Sequence, residues 1–352
     1  MRLPEARGPM TQLLVERLAG PTRPSLLAAA VERAQAGHPQ AHPLADEDLQ
    51  LGLAICYELH YRGFEGVDER WEWEPSLLAL RARLEARFER ALRALAPPPA
   101  APEAADIPAA LRRLVTADDG PPLAAYVQRS ATVEQFREFA VHRSVYQLKE
   151  ADPHTWAIPR LTGRAKAALV EIQADEYGGG RVDAMHATLF ARTLRELGLD
   201  DTYGAYLDRV PAVTLAAVNV ISMFGLHRRL RGALVGHLAA YEMTSSLPNH
   251  RYGNGLRRLG FAERATRFYD EHVEADAVHE QVAAVDLCGS FAEAEPDRAG
   301  DVLWGASCAL ALDGRFAGHV LQAWQRGESS LRAPEQVQEV DLTTVASLAV
   351  PA

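Results

Sequence analysis

"RFYDEHVEADAVHEQ", residues 267–281, gathers two histidines, two aspartates and three glutamates into fifteen positions of a helix-forming segment. A helix turns about 100° per residue. With His272 at zero, Asp276 falls near 40° and His279 near −20°, so the three side chains share an arc of about 60°. The other acids, Asp270, Glu271, Glu274 and Glu280, lie outside what that arc requires. H-x3-D-x2-H on one face is either a row of metal ligands or part of a solvated acidic helix. The rest of the chain decides between these.

Helical patterning runs through nearly all 352 residues. "SLLALRARLEARFERALRAL" places Leu77, Leu80, Leu84, Phe88, Leu92 and Leu95 on one stripe, with charges opposite. "ADEDLQLGLAICYELHYRGF" starts with an acidic turn and stops at Gly63. "APPPAAPEAADIP", residues 96–108, reads as a stiff surface linker. No alternating strand pattern interrupts the helices, and an all-α fold is expected. The segment from Pro211 to Ser245 is rich in Ala and Gly, as a buried bundle helix is, and it delivers Glu242 near its end. "LPNHRYGNG", residues 247–255, reads as a flexible joint. Three divisions are expected: an N-terminal helical region over 1–120, a helical core over 121–327, and a mobile tail over 328–352.

Composition narrows the function. A net charge of −10 gives no global basic field for nucleic acid. Cys56, Cys288 and Cys308 form no CxxC pair, so neither a thiolate zinc site nor a disulfide framework is indicated, and a reducing cytoplasm fits. The longest apolar run, around "VTLAAVNVISMFGL", is too short to span a bilayer. "YGGG", residues 177–180, lacks the preceding strand and following GK[ST] of a phosphate loop, and reads as a bend or loosening of its helix.

Four further positions place polar residues in or beside apolar helical patterns: Glu150, Glu176, His186 and Glu242. Taken singly, each reads as a cap, a solvated residue or a core histidine. Together with His272, Asp276 and His279 they supply four carboxylates and three imidazoles. Four carboxylates balance two divalent cations, so the set can be buried without net charge. Oxygen and imidazole ligation without thiolate suits iron, with manganese as the alternative. The paired Glu-x-x-His of the ferritin-like plan is missing, which points to a different bundle. Glu58 and His60 are read as one buried and one surface residue, His154 as a turn residue, and His237 is set aside, with a place behind the ligands as the alternative. "HRRLR", residues 227–231, is read as a solvated helix face.

"LKEADPH", "EIQADEYGGGRVDAMHATLF" and "FYDEHVEADAVHEQ", in this order, resemble the haem-oxygenase-like diiron oxidases and oxygenases, many of them labelled iron-containing redox enzymes. Glu176 follows Glu150 by 26 residues, His186 follows Glu176 by ten, and His272 follows Glu242 by thirty. The resemblance covers roughly residues 132–316, with "YELHYRGF" and "DERWEWEP" supporting it. It implies a haem-oxygenase-like bundle of about seven core helices, here with additional N-terminal helices. It also implies seven metal ligands, Glu150, Glu176, His186, Glu242, His272, Asp276 and His279, holding two Fe(II) ions that activate O2. Glu176 matches the extra carboxylate of the N-oxygenating branch, which gives it a catalytic role as well. The expected activity is oxidation of a small molecule, amine or amino-acid-like, by N-oxygenation or oxidative C–C or C–N chemistry. An external electron donor, a homodimer, and no nucleic-acid or membrane partner complete the expectation. The competing readings are a cofactorless or haem-degrading enzyme on the same bundle, and a non-catalytic iron-binding helical protein.

Overall fold

The computed structural model of the protein describes residues 1–22, 27, 29, 31, 41–100 and 102–333. The side chains of residues 275–278 lie outside the description. The described residues form helices and turns, with no strand among them, as the patterning predicts.

In chain order the principal helices are α1 (Pro9–Leu18), α2 (Glu47–Glu58), α3 (Pro75–Leu95), α4 (Ile107–Thr116), α5 (Leu123–Arg129), α6 (Val133–Gln147), α7 (Gly163–Glu176), α8 (His186–Glu196), α9 (Ala212–Leu226), α10 (Arg231–Thr244), α11 (Ser246–Arg258), α12 (Glu263–Gln281) and α13 (Ala299–Gln325). Their starts are written locally. Asp46 caps α2 by accepting from the Leu49 amide. Glu74 accepts from the Ser76 and Leu77 amides, with Pro75 opening α3. Thr132 and Gln135 form a reciprocal capping box on α6. After Gln281 the helix widens into a π-helical stretch, Val282–Gly289.

Two apolar clusters hold these helices. The larger runs from Met10 and Leu14 through Leu84 and Phe88 to Val220, Leu234, Leu287 and Trp304, so the N-terminal helices share a core with α9, α10 and α13. The smaller is aromatic: Phe136, Phe139, Phe190, Phe268, Tyr269 and Trp324. At the centre α10 and α13 cross on two glycines. A Cβ on Gly236 would lie 1.9 Å from the Val302 carbonyl oxygen, and one on Gly305 would lie 1.9 Å from that of Ala233. The small-residue pattern of this segment thus serves close approach of two helix axes.

Several readings are corrected. Pro211–Ser245 is not one helix. It breaks at His227, whose ring bonds Glu85 at 2.8 Å, and restarts at Arg231. Arg229 pairs with Glu89 and Arg231 with Glu295, so "HRRLR" is a turn tied down by carboxylates. "LPNHRYGNG" is no joint but lies within α11. Glu58 and His60 are both buried, because α2 ends at Glu58 and the helical angle between them no longer applies. The last two residues of the Pro-rich stretch, Ile107 and Pro108, begin α4. Residues 334–352 of the expected tail lie outside the described residues. Before them Ser330 is buried and bonded to Glu138 and His142.

Gly236→Ala and Gly305→Ala are each expected to destabilise the protein by at least about 1–3 kcal/mol, since the added methyl meets backbone rather than a movable side chain. Thermal unfolding checks this; midpoints equal to wild type would contradict the packing described.

A candidate metal centre

The functional side chains sit where helices end or turn. α6 ends at Gln147, and Glu150 projects from the turn that follows. The next residue, Ala151, has φ 74°, an uncommon conformation for a side-chain-bearing residue. Gln173 of α7 holds the Ala151 carbonyl at 2.9 Å and fixes that turn. Glu176 is the last residue of α7. Gly178, Gly179 and Gly180 follow, all at positive φ, so the helix stops here rather than bending as expected. A Cβ on Gly178 would lie 2.5 Å from the Ala184 backbone. That close turn brings His186, the first residue of α8, back beside Glu176. Glu242 comes from α10, and His272 and His279 from α12.

The ligand atoms converge as two groups. Atoms of Glu150, Glu176, His186 and His272 lie within 4.8 Å of one another, and so do those of Glu176, Glu242 and His279. Glu176 belongs to both. Six of the seven expected ligands are thus brought together. Asp276 lies in α12 between the two histidines, and its side chain falls outside the described residues.

The imidazoles are oriented for ligation. His272 Nδ1–H donates to the Phe268 carbonyl at 2.8 Å, leaving Nε2 as a lone pair 3.6 Å from Glu150. His279 Nε2–H donates to Asp175 Oδ2 at 3.0 Å, leaving Nδ1 3.2 Å from Glu242. His186 Nδ1 stands 3.1 Å from Glu176 Oε2. Yet the Glu150 and Glu176 Oε2 atoms and the Nδ1 atoms of His186 and His279 are buried without a hydrogen-bond partner among the described residues. Buried polar atoms are nearly always satisfied. Carboxylate oxygens and imidazole nitrogens converging in one buried spot fit a cation, and the oxygen and imidazole donor set fits iron or manganese.

Electrostatics agree. Burial disfavours ionisation of Glu176, but the adjacent His186, then His272 and His279, outweigh it and hold the carboxyl at about 2. For His279 burial favours the neutral ring, while Glu242 and Asp175 raise it to about 9. Glu176 and His279 are thus both ionised when metal-free, and a cation must displace the His279 proton to enter.

A cavity of about 530 Å³ reaches the cluster at Glu150, Glu176, Glu242 and His272. Tyr146 and Tyr241 line it, and so does His154. His154 is buried in a short helix, not exposed in a turn, with His237 behind it at 3.4 Å.

Residues 137–314, half of the chain, match the family described as iron-containing redox enzyme. The chain belongs to this family. A stretch of 152 residues is 30% identical to the nitrosourea synthase of Streptomyces achromogenes subsp. streptozoticus, covering 43% of this chain and 32% of that protein. The chain therefore spans about a third of the length of that relative. A solved domain of unknown function with a heme oxygenase-like fold, from Shewanella denitrificans OS217, is 15% identical and covers 65% of this chain and 96% of its own, with a TM-score of 0.43. The family matches the one that the sequence resembles, and the all-α architecture matches the bundle expected of it. No helix among the described residues is long and apolar enough to cross a membrane.

The reading of the sequence missed Asp175. Its signal is adjacency alone: in "QADEY" one acid turns into the cluster and its neighbour turns outward to hold a histidine. A carboxylate behind a ligating imidazole fixes the tautomer and the ring's direction. Asp175→Ala is expected to lower divalent-metal affinity about 10- to 100-fold, with folding unaffected because the side chain is 60% exposed. Competition with a chelator measures this, and an unchanged affinity would remove Asp175 from the site.

Affinity should also rise with pH up to about 9 as the His279 proton is lost. The metal-free fold should behave oppositely for this group. The raised His279 contributes stability in full below 6.5 and loses it as pH climbs through about 9. The lowered Glu176 contributes above 4.5 and loses its share as pH falls toward about 2.

Proposed function

We propose that the cluster is a dinuclear non-haem iron centre, and that the protein is an O2-dependent oxidase or oxygenase of a small amine or amino-acid-like molecule. The observation that carries this reading is the single carboxylate, Glu176, shared by two overlapping ligand groups. In this reading Glu150, His186 and His272 complete the first site, and Glu242 and His279, with Asp276 of the same helix, complete the second. Iron bound there supplies the electrons for reduction of O2. The N-oxygenating direction is supported by the similarity to a nitrosourea synthase and by the position of Glu176 as the extra carboxylate.

The chain's own residues then do the following. Asp175 and the Phe268 carbonyl hold two imidazoles in the ligating tautomer. Phe268 packs edge-on against His186 and at 4.4 Å against His272, which keeps that side of the cluster dry. The cavity admits substrate from the other side, along Tyr146 and Tyr241. Burial, and then the charge of Glu150, push the Tyr146 hydroxyl well above its ordinary range, so it stays protonated and can donate to a substrate atom beside the cluster.

Anaerobic loading with Fe(II) is expected to give about two ions per chain, and the loaded protein should consume O2 in the presence of a competent amine. Glu150→Ala and His279→Ala should each reduce the iron bound, and Glu176→Ala should reduce it most because both groups lose a ligand. Two ions retained in Glu176→Ala would exclude the shared-carboxylate reading. Full loading with no O2 consumption across a broad amine and amino-acid panel would favour a non-catalytic iron-binding protein.

A further inference from the structure

The wall of the cavity away from the metal cluster carries a second polar group that the ligand set does not use. Arg143, on α6, pairs with Asp313 of α13 at 2.9 Å. Its guanidinium carbon lies 4.6 Å from the centre of the Phe316 ring and 5.4 Å from that of Phe139. Two aromatic faces therefore fix the plane of the cation independently of its carboxylate partner. Asp313 accepts from one of the five guanidinium donors, and its side chain remains 47% exposed. Asp118 stands on the same rim, its carboxyl raised by burial and then by the charge of Asp313.

One cavity joins this pair to the cluster. Arg143 and Gln147, one turn apart on α6, and Glu150, in the turn that follows, all line the cavity.

We propose that Arg143 and Asp313 are the specificity-determining residues of this cavity and select a zwitterionic α-amino acid. Its carboxylate lies on the guanidinium, its ammonium on the aspartate, and its side chain runs inward to the cluster. The charge arrangement favours this class over its fragments. A simple carboxylate gains at Arg143 but faces Asp313 and Asp118. A simple amine gains at Asp313 but faces Arg143. A zwitterion finds a partner for each of its charges, and the planar fork of Arg143 suits a carboxylate bidentately. The proposal rests on the metal-centre reading only for what happens at the inner end of the substrate.

The test is equilibrium binding by calorimetry to the full chain, metal-loaded and metal-free. The probes are L-ornithine, L-lysine, L-arginine and L-norleucine, each beside its decarboxylated and its deaminated counterpart. At least one amino acid should bind, about 10- to 100-fold more tightly than either counterpart, the loss expected for one charged hydrogen-bonding group. Arg143→Gln should abolish the preference over the decarboxylated amine, and Asp313→Asn the preference over the deaminated acid. Both variants should keep the wild-type metal content, which also shows that they fold. A counterpart binding as tightly as its parent amino acid, no binding by any amino acid of the panel, or preferences unchanged in both variants would overturn the proposal. Failure here with metal content intact leaves the metal-centre reading standing. Preferences that depend on Arg143 in a chain that takes up no metal would sink the metal reading and keep this one.

Discussion

Two groups of inward-facing ligands share one carboxylate, and the architecture around them is arranged to make that sharing tolerable. Glu176 has histidines of both groups nearby, and their charge holds its carboxyl at about 2 despite its burial. An ionised carboxylate at such depth is costly unless positive charge surrounds it. The histidines supply that charge when metal is absent, and by our reading cations supply it when metal is present. The same compensation accounts for the Glu150 and Glu176 Oε2 atoms and the Nδ1 atoms of His186 and His279, buried here without a hydrogen-bond partner among the described residues.

Placing six ligands in one spot requires helices that stop on time. α7 stops at Glu176 because three glycines at positive φ follow it, and the tight turn at Gly178 sends His186 back. α6 stops just short of Glu150, and Ala151 accepts an unfavourable backbone conformation, held by Gln173. α10 can carry Glu242 inward because Gly236 lets it lie against α13 at backbone distance. α12 continues past His279 into the π-helical stretch, an irregularity that often accompanies functional sites. The scaffold is thus an apolar bundle in which particular departures from regular helix place the ligands.

The sequence made much of this legible, and the reasons are specific. Helical periodicity is a local property, so the stripe in α3 and the shared face of His272 and His279 could be read directly. Buried polar residues in apolar patterns pointed to Glu150, Glu176, His186 and Glu242, and the structure gathers all four. What stayed hidden depends on contacts distant in sequence. Asp175 looks like any exposed acid until His279, 104 residues away, meets it. Arg143 looks like a surface arginine of an amphipathic helix until Asp313, Phe139 and Phe316 enclose it. "LPNHRYGNG" misled in the other direction, because glycines and a proline were read as a joint. Tyr252 and Leu256 pack into the aromatic cluster and tertiary burial overrides weak helix propensity.

The central claim is that two cations lie on either side of Glu176. Crystals of the iron-loaded chain, with anomalous diffraction recorded at the iron edge, test it most directly. The account predicts two anomalous peaks. One lies among Glu150, Glu176, His186 and His272, the other among Glu176, Glu242 and His279, with the Glu176 carboxylate touching both. A single peak, or two peaks of which Glu176 touches only one, would contradict it.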